Sequence, residues 1–366
     1  MRIICLHQSA DLYGSDRSFL QVVEFFKSSG KYSAITVILP RYGPLSDELA
    51  KLSVEVIYMN LSLLSKTYLK SLQWGKIFFP LLNFRNKKLL IDKYDVLYAN
   101  TSVILDFYAL APFVKARKFI HIREIPANWL GKILSVLISR SRAFVIFNSH
   151  STKSSFAEFK QSAVIHNAFE GYPSETVQQT EYSKLQTEPL NILLIGRINS
   201  WKGQDFTIEA LSKISKENFK LRIVGSPAAG NENLLSALKA KVKSLDLFSK
   251  VEFIEFASHP ASEYQRADLI IVPSIKPEPF GRIAIEAMSL GKPVIAANHG
   301  GLPEIIEHNK SGFLFNPGDV DSFNSYLSKY LFDKQLLADH GKNSKILFED
   351  KFSVGIMHKK LKEVFF

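Results

Sequence analysis

Two glutamates, Glu278 and Glu286, bracket a sharp turn in the stretch "KPEPFGRIAIEAMSLGKPVIAANHGGLPEI". Pro279-Phe280-Gly281 follows the apolar run "DLIIVPS" and precedes the apolar-striped "RIAIEAMSLG". That order predicts a strand, a turn, and a helix that begins at the turn. The first backbone N–H groups of such a helix lack partners within it and sit at its positive dipole end, so they suit an anion. A carboxylate beside that mouth can accept two hydrogen bonds from the vicinal diol of a ribose or hexose. Taken alone, Glu278 would cap the helix and Glu286 would be an ordinary helix glutamate. The surrounding turns, Gly300-Gly301 included, favour a site for a sugar, its phosphates and a nucleoside sugar.

A second set lies in "LIGRINSWKGQD". Arg197 is read as ending a buried strand, and Lys202-Gly203 as preceding a helix. A strand-end Arg with a Lys on the following loop makes a two-point clamp for a diphosphate. Each alone reads as a solvated surface cation; a shared sheet edge with the Glu278 turn makes the clamp the better reading. In "HIREIP", strand alternation puts His121 and Arg123 on one face and Glu124 on the other. All three line one site only if the strand has already ended. Asn100 to Ser102, and Asn148 with Ser149, are further polar sets at strand ends. In "DLYGSDRS", Gly14 permits a left-handed turn at a helix mouth, while Ser15 and Asp16 suit N-capping. Asp319-Val320-Asp321 opens a helix, where aspartates cap. No His/Cys/Asp cluster has metal-ligand spacing, so no metal is expected.

The elements that must position these residues alternate along the chain. In the first half the strand candidates are "RIICLHQ", "SAITVILP", "VEVIYMN", "DVLYANT", "KFIHIRE", "AFVIFNS" and "SAVIHNA". In the second they are "LNILLIGR", "FKLRIVG", "VEFIEF", "DLIIVPS", "KPVIAAN" and "GFLFN". Most are continuous apolar runs, as strands buried on both faces require, with helical patterns between them. The expected class is α/β: two Rossmann-like doubly wound domains facing across a cleft, with ligands at the carboxyl ends of the strands. The expected divisions are 1–170, a polar linker at 171–189, 190–348, and a C-terminal helix over 349–366 that returns to the first domain.

Composition bounds the function. At 366 residues with 46% hydrophobic content, the chain is ordinarily globular and long for one core. It shows no secretory signal pattern and no apolar run long enough to span a membrane. The single cysteine, Cys5, excludes an internal disulfide framework and reads as a buried, inert thiol in a reducing, cytoplasmic setting. The net charge is +11, and residues 1–170 carry 22 Lys/Arg against 12 Asp/Glu, while residues 171–366 carry 24 against 23. The excess in the first half points to an anionic partner for that half. Residues 61–93, with seven Lys/Arg, one Asp and interleaved aromatics such as Tyr68 and Trp74, suit either a core-packed helix or a segment lying on an acidic membrane surface. A nucleic-acid groove should be basic in both domains, so nucleic acid is not expected.

"GRINSWKGQD", "LRIVGS", "ADLIIVPS", "EPFGRIAIEAMSLGKPVIAANHGGLPEII" and "SGFLFNPGD" together resemble the C-terminal half of the retaining GT-B glycosyltransferases of family 4, the glycosyl transferases of group 1. The resemblance is dense from about Leu190 to Asp319. It implies a nucleotide-sugar donor, a saccharide or lipid-linked saccharide acceptor, no cofactor, and work in surface polysaccharide assembly, with the enzyme peripheral at the inner face of the cell membrane. It implies that Glu278 contacts the transferred sugar, that Glu286 binds the ribose hydroxyls, and that Arg197 and Lys202 hold the diphosphate. Phe280, Gly281 and Arg282 would add backbone phosphate contacts, with Ser274 of the flanking Pro-Ser beside them. Gly300-Gly301 would let backbone pass close to the ligand. In the first half, Gly14 and Ser15 match the family's glycine-rich donor loop, which here has one glycine where members often have two. His121, Arg123 and Glu124 match a polar cluster beside the transferred sugar, with His121 a catalytic candidate and Arg123, Glu124 and Asn100 acceptor contacts. The implied course is front-face, with the leaving diphosphate helping to take the acceptor proton. Rival readings are a sugar-nucleotide epimerase of the same fold, and a non-catalytic nucleotide-sugar or nucleic-acid binding protein.

Overall fold

The computed structural model describes residues 1–64, 75, 79–172, 188–228, 230–255 and 260–366. Most of the expected linker, and the middle of the basic segment 61–93 with Tyr68 and Trp74, lie outside these residues. The chain divides into two units: Met1–Asn167 with Met357–Phe366, and Ala168–Ile356.

In the first unit, all seven apolar runs form parallel strands: β1 Arg2–Leu6, β2 Ala34–Leu39, β3 Glu55–Tyr58, β4 Val96–Ala99, β5 Arg117–Ile122, β6 Phe144–Phe147 and β7 Ser162–Val164. Their order across the sheet is β3-β2-β1-β4-β5-β6-β7. Helices α1 Gly14–Ser28, α2 Pro44–Lys51, α3 Phe84–Ile91, α4 Leu105–Leu110, α5 Asn128–Ser141 and α6 His150–Ser154 lie between strands. Ile3, Ile4 and Cys5 are consecutive and all fully buried. Neighbouring strand residues point to opposite faces, so both faces of this sheet are covered. Burial pushes the Cys5 thiol far above its ordinary value, which leaves it an inert core residue. Helix α1 turns Phe19, Val22, Val23 and Phe26 inward at helical spacing.

The second unit repeats the plan. Strands β8 Leu190–Ile195, β9 Phe219–Val224, β10 Val251–Ile254, β11 Leu269–Val272, β12 Val294–Ala297 and β13 Gly312–Phe315 form a parallel sheet in the order β10-β9-β8-β11-β12-β13. The helices are α7 Gln204–Ser212, α8 Glu232–Ser244, α9 Ala261–Arg266, α10 Arg282–Ser289, α11 Leu302–Ile305, α12 Val320–Phe332 and α13 Lys334–Lys351. In each sheet the order of winding reverses beside the first strand, between β1 and β4 and between β8 and β11. Crevices open at such switch points, outside the carboxyl ends of the strands. The residues singled out in "LIGRINSWKGQD" and around Glu278 follow β8 and β11, the two strands that flank one of them.

The end of the chain differs from the single helix expected over 349–366. Helix α13 already runs through that boundary to Lys351, and a separate helix, α14 Val354–Phe365, follows. From Met357 onward the chain groups with the first unit. Phe365 is fully buried there, stacked on Phe119 at 4.2 Å and edge-on to Phe26 at 5.0 Å. Its carbonyl accepts a hydrogen bond from Arg117 Nη1 at 3.2 Å. Burying one such ring contributes about 1.5–3 kcal/mol, enough to make the last turn part of the first unit's core. Among the described residues no helix is long and apolar enough to cross a membrane.

Candidate functional site

At the switch point of the second unit, two loops are held against each other by backbone. Ile275 N donates to Trp201 O at 2.7 Å. Gly203 adopts φ +82°, and a Cβ there would lie 2.0 Å from Pro273 O, so only glycine lets the β8 loop touch the β11 loop this closely. Asn199 Oδ1 accepts from the N–H groups of Trp201 and Lys202, which fixes the turn that aims the lysine. Lys202 Nζ then reaches Glu278 Oε1 at 2.7 Å and lies 4.6 Å from the centre of the Trp201 ring. Ser274 Oγ donates to the same carboxylate oxygen. Glu278 Oε2 takes no hydrogen bond from the described residues. The pair is mostly but not wholly buried, with side-chain exposures of 17% for Lys202 and 8% for Glu278.

The glutamate's backbone is held as well. Gly301 N donates to Glu278 O at 2.8 Å. A Cβ on Gly300, at φ +64°, would meet Glu278 O at 2.3 Å, and one on Gly301 would meet Phe280 Cα at 2.6 Å. The close approach that these glycines permit is therefore to the Glu278–Phe280 backbone, where proximity to a ligand had been expected. His299, which precedes them, donates from Nε2 to Ser274 O at 2.7 Å.

Gly281, at φ +115°, is the N-cap of α10. The helix therefore starts a few residues after Glu278, as the sequence order requires. One turn in, Glu286 accepts from Arg282 Nε at 2.7 Å on one oxygen and from Tyr264 OH at 2.9 Å on the other. Burial and then the Glu286 charge hold the Tyr264 hydroxyl protonated, with its pKa well above the ordinary value. Each carboxylate oxygen accommodates a further hydrogen bond, and Glu286 keeps 14% of its side chain exposed. Arg282 also lies over the Phe169 ring at 5.5 Å. Arg197 sits two residues beyond the end of β8, past Gly196, and is exposed, whereas it was expected to end the strand. Its carbonyl accepts from the buried Gln204 side chain at 3.2 Å, which ties it to the start of α7. The edge thus gathers Lys202, Ser274 and Glu278 in direct contact, with Arg282 and Glu286 on the adjoining helix.

The first unit places its polar residues differently. Asp16 accepts from Tyr13 N at 2.9 Å, closing the first turn of α1, and from His7 Nε2 at 2.9 Å. Asn100 Nδ2 donates to His7 Nδ1 at 3.1 Å, and Asn100 Oδ1 accepts from Arg123 Nε at 2.8 Å. Arg123 also donates to Asn167 Oδ1 and, at 3.2 Å, to His121 Nδ1. His7, Asp16, Asn100 and His121 have almost no exposure, and Arg123 has 9%. Strand β5 ends at Ile122, which lets Glu124 turn away. Its carboxylate accepts from Thr101 Oγ1, from Ser102 N and Oγ at 2.6 Å each, and from Arg123 N at 2.9 Å. Asn100, Arg123 and Glu124, read from sequence as acceptor contacts, are saturated by their own unit. Ser149 is the N-cap of α6 and Asn148 accepts from Thr152, so that set is capping chemistry too. Asp319 likewise caps α12 through Ser322 N at 2.9 Å.

His121 retains one open valence. A guanidinium only donates, so Nδ1 is the acceptor in its contact with Arg123, and the ring proton sits on Nε2. Nε2 is buried and has no partner among the described residues. Burial, and after it the Arg123 charge, hold this imidazole neutral with a pKa well below the ordinary value. In this state Nε2–H is a donor and not an acceptor. The Gly14 expectation is not met: Gly14 is absent from the glycines with positive φ and simply opens α1, exposed beside an exposed Ser15. Sequence reasoning passed over His7, Asn167, Trp201, Tyr264 and His299. His7, in "RIICLHQ", and His299, before Gly-Gly, stand at strand ends, a signal that was available. Tyr264 and Asn167 carry no local signal, because their partners are distant in sequence.

The family model described as glycosyl transferases group 1 matches residues 178–346. An uncharacterized glycosyltransferase of Methanocaldococcus jannaschii is 36% identical over 141 residues, which is 38% of this chain and 35% of that protein. The capsular polysaccharide biosynthesis glycosyltransferase CapM of Staphylococcus aureus is 28% identical over 189 residues, 51% of this chain and 48% of CapM. The chain spans only 35% to 60% of the length of the first curated relatives that it matches. Among solved structures, Anabaena HepE in complex with UDP and glucose matches with a TM-score of 0.81 and 22% identity over 99% of this chain and 98% of that one. At that identity the likeness shows the fold alone.

Proposed function

We propose that this chain, whose residues 178–346 match the family model of the glycosyl transferases of group 1 and whose fold is GT-B, transfers a sugar from a nucleotide-sugar donor to a saccharide or lipid-linked saccharide acceptor. The observation that carries the reading is the contact of Lys202, Ser274 and Glu278 beside the mouth of α10, at the switch point between β8 and β11.

Each part has a task in such a transfer. Breaking the bond to the donor diphosphate develops negative charge on the leaving oxygens. Lys202, Arg197 and the first amides of α10 supply donors and positive charge that match it. In the unliganded edge Lys202 is neutralised by Glu278; a diphosphate offers it a second anion, and Nζ has three protons to share. Glu278 Oε2 accepts from a hydroxyl of the transferred sugar, while Oε1 stays anchored by Ser274. Glu286, anchored by Arg282 and Tyr264, accepts from the ribose diol. In the first unit, the neutral His121 donates Nε2–H to a saccharide hydroxyl, and Asn100, Arg123 and Glu124 position it. The retaining, front-face course, with the leaving diphosphate taking the acceptor proton, is part of the proposal, as are independence of metal and a place in surface polysaccharide assembly. CapM supports the last of these by its printed role. The positive excess of residues 1–170 supports an acidic membrane surface as a further partner.

A thermal-shift panel of nucleoside diphosphates and their sugars, led by UDP and UDP-glucose because HepE binds them, is expected to give one stabilising base. Release of that nucleoside diphosphate should then depend on added acceptor and survive EDTA. Release without acceptor dependence would favour the epimerase, and stabilisation without any release a binding protein. Loss of transfer under EDTA, restored by Mg²⁺ or Mn²⁺, would remove metal independence, and an inverted anomeric signal in the product would remove retention.

A further inference from the structure

Lys202 is held from two sides. Its Nζ donates to Glu278 Oε1 at 2.7 Å and lies over the Trp201 ring, 4.6 Å from its centre. A cation within about 6 Å of a ring centre is attracted by the negative π face, and indole offers the strongest such face among side chains. With 17% of the lysine side chain exposed, most of its surface is out of water, where the attraction is larger. Trp201 is half-buried, and its backbone is fixed without help from Glu278. Its N–H donates to Asn199 Oδ1 at 3.0 Å, and its carbonyl accepts from Ile275 N, on the loop after β11, at 2.7 Å. Arg282 repeats the arrangement on α10: it donates to Glu286 and lies over the Phe169 ring at 5.5 Å.

The two holds differ in kind. The carboxylate takes one proton of Nζ along one direction, and that is the bond with which an incoming diphosphate competes. The ring attracts the charge without taking a proton, and it shields that side of the ammonium from water. It therefore keeps Nζ in place while the protons are shared between Glu278 and a new anion. A lysine without it would regain side-chain freedom and hydration, both of which binding must then remove. We propose that Trp201 is a positioning residue for the donor: its indole face holds the Lys202 ammonium, partly dehydrated, where the diphosphate arrives. The proposal rests on the reading of Lys202 as the group that meets the diphosphate.

The test uses the full chain with Trp74→Phe and Trp129→Phe, which leaves Trp201 as its sole tryptophan. In this reference protein Lys202→Met should shift the indole emission at neutral pH with no ligand added. An unmoved spectrum would mean that the ammonium does not rest on the ring and would overturn the proposal. Affinities for inorganic pyrophosphate, UDP, GDP and ADP are then measured by titration calorimetry. Trp201→Leu should weaken those that bind by about tenfold, and Trp201→Phe by less, in the order of the π attraction. Mono- and difluorotryptophan incorporated in the reference protein keep the shape of the ring and drain its π face stepwise, so affinity should fall with each fluorine. A ring needed for its bulk alone would give affinities that ignore fluorine. A ring that competes with the diphosphate for the ammonium would give tighter binding in the fluorinated proteins. Either result would overturn the positioning role, while weaker binding in Lys202→Met would leave the reading of Lys202 standing. If no probe binds the reference protein, or Lys202→Met binds them equally well, that reading falls and the role of Trp201 falls with it.

Discussion

At the carboxyl edge of the second unit, hydrogen-bonding groups point at one another and still have capacity left. Among the described residues Lys202 Nζ uses one proton on Glu278, Glu278 Oε2 accepts no hydrogen bond, and Glu286 keeps room on both oxygens. At the corresponding edge of the first unit, Arg123, Asn100 and Glu124 have closed their valences on Asn167, His7, Thr101 and Ser102, and His121 Nε2 has no partner among the described residues. Both edges carry the same residue types at strand ends. The two edges differ in the capacity left after folding, and on the proposed function that capacity marks the second as the donor edge, because a polar group saturated in a buried network gains nothing by facing a substrate.

The sharpest way to break this contrast is Lys202→Ala. If the lysine stabilises the leaving diphosphate, transfer should fall about 10²–10³-fold, roughly 2.7–4 kcal/mol of transition-state stabilisation, with the protein still folded. A rate within tenfold of wild type would end its assigned role. Arg123→Leu should do the reverse. It strips donors from Asn167, Asn100 and His121; the Tyr98 hydroxyl, within reach of the last two, can serve only one of them, and a buried acceptor left alone costs about 1–3 kcal/mol. The first unit should lose about 3 kcal/mol in a denaturant melt, and kcat per folded molecule should fall less than it does in Lys202→Ala; a stable but inactive protein would make Arg123 a substrate contact after all. Glu286→Ala should raise the donor KM by about tenfold or more, since hydrogen bonds to a charged group contribute about 1.5–3 kcal/mol. An unchanged KM would move the nucleoside elsewhere.

The smallest effect concerns His121. Its folded pKa is depressed by burial and by Arg123, so below about pH 6.5 the unfolded chain binds a proton that the folded one refuses. Stability should therefore be flat above that pH and fall as pH drops through it, by at most about 1.4 kcal/mol per unit from this group. His7, which burial also depresses, adds in the same direction. His121→Gln should flatten the slope measured by melts from pH 7 to 5. An unchanged slope would mean that His121 is charged in the folded state.

Much of the fold was legible because its signals are local. Thirteen apolar runs became thirteen strands, and Pro279-Phe280-Gly281 opened a helix where the order of residues said it would. The Glu278 and Lys202 loops were legible as chemistry because each carries its turn residues with it. Gly14 misled because a glycine permits a left-handed turn without requiring one. Glu124 misled because the end of β5 at Ile122 decides where it points, and its partners Thr101 and Ser102 come from a different strand end.

Sequence alone determined the alternation of buried strands and helices, the glycine turns and the charge imbalance between the halves, since each depends on neighbours a few residues apart. Only the tertiary structure decided which strand-end groups remain open, that Lys202 meets Glu278 across 76 positions of chain, and that Phe365 closes the core of the first unit. Those outcomes follow from hydrogen bonds and packing between distant segments. Whether a polar atom is satisfied depends on which other strand end arrives beside it, and no short window of residues contains that information.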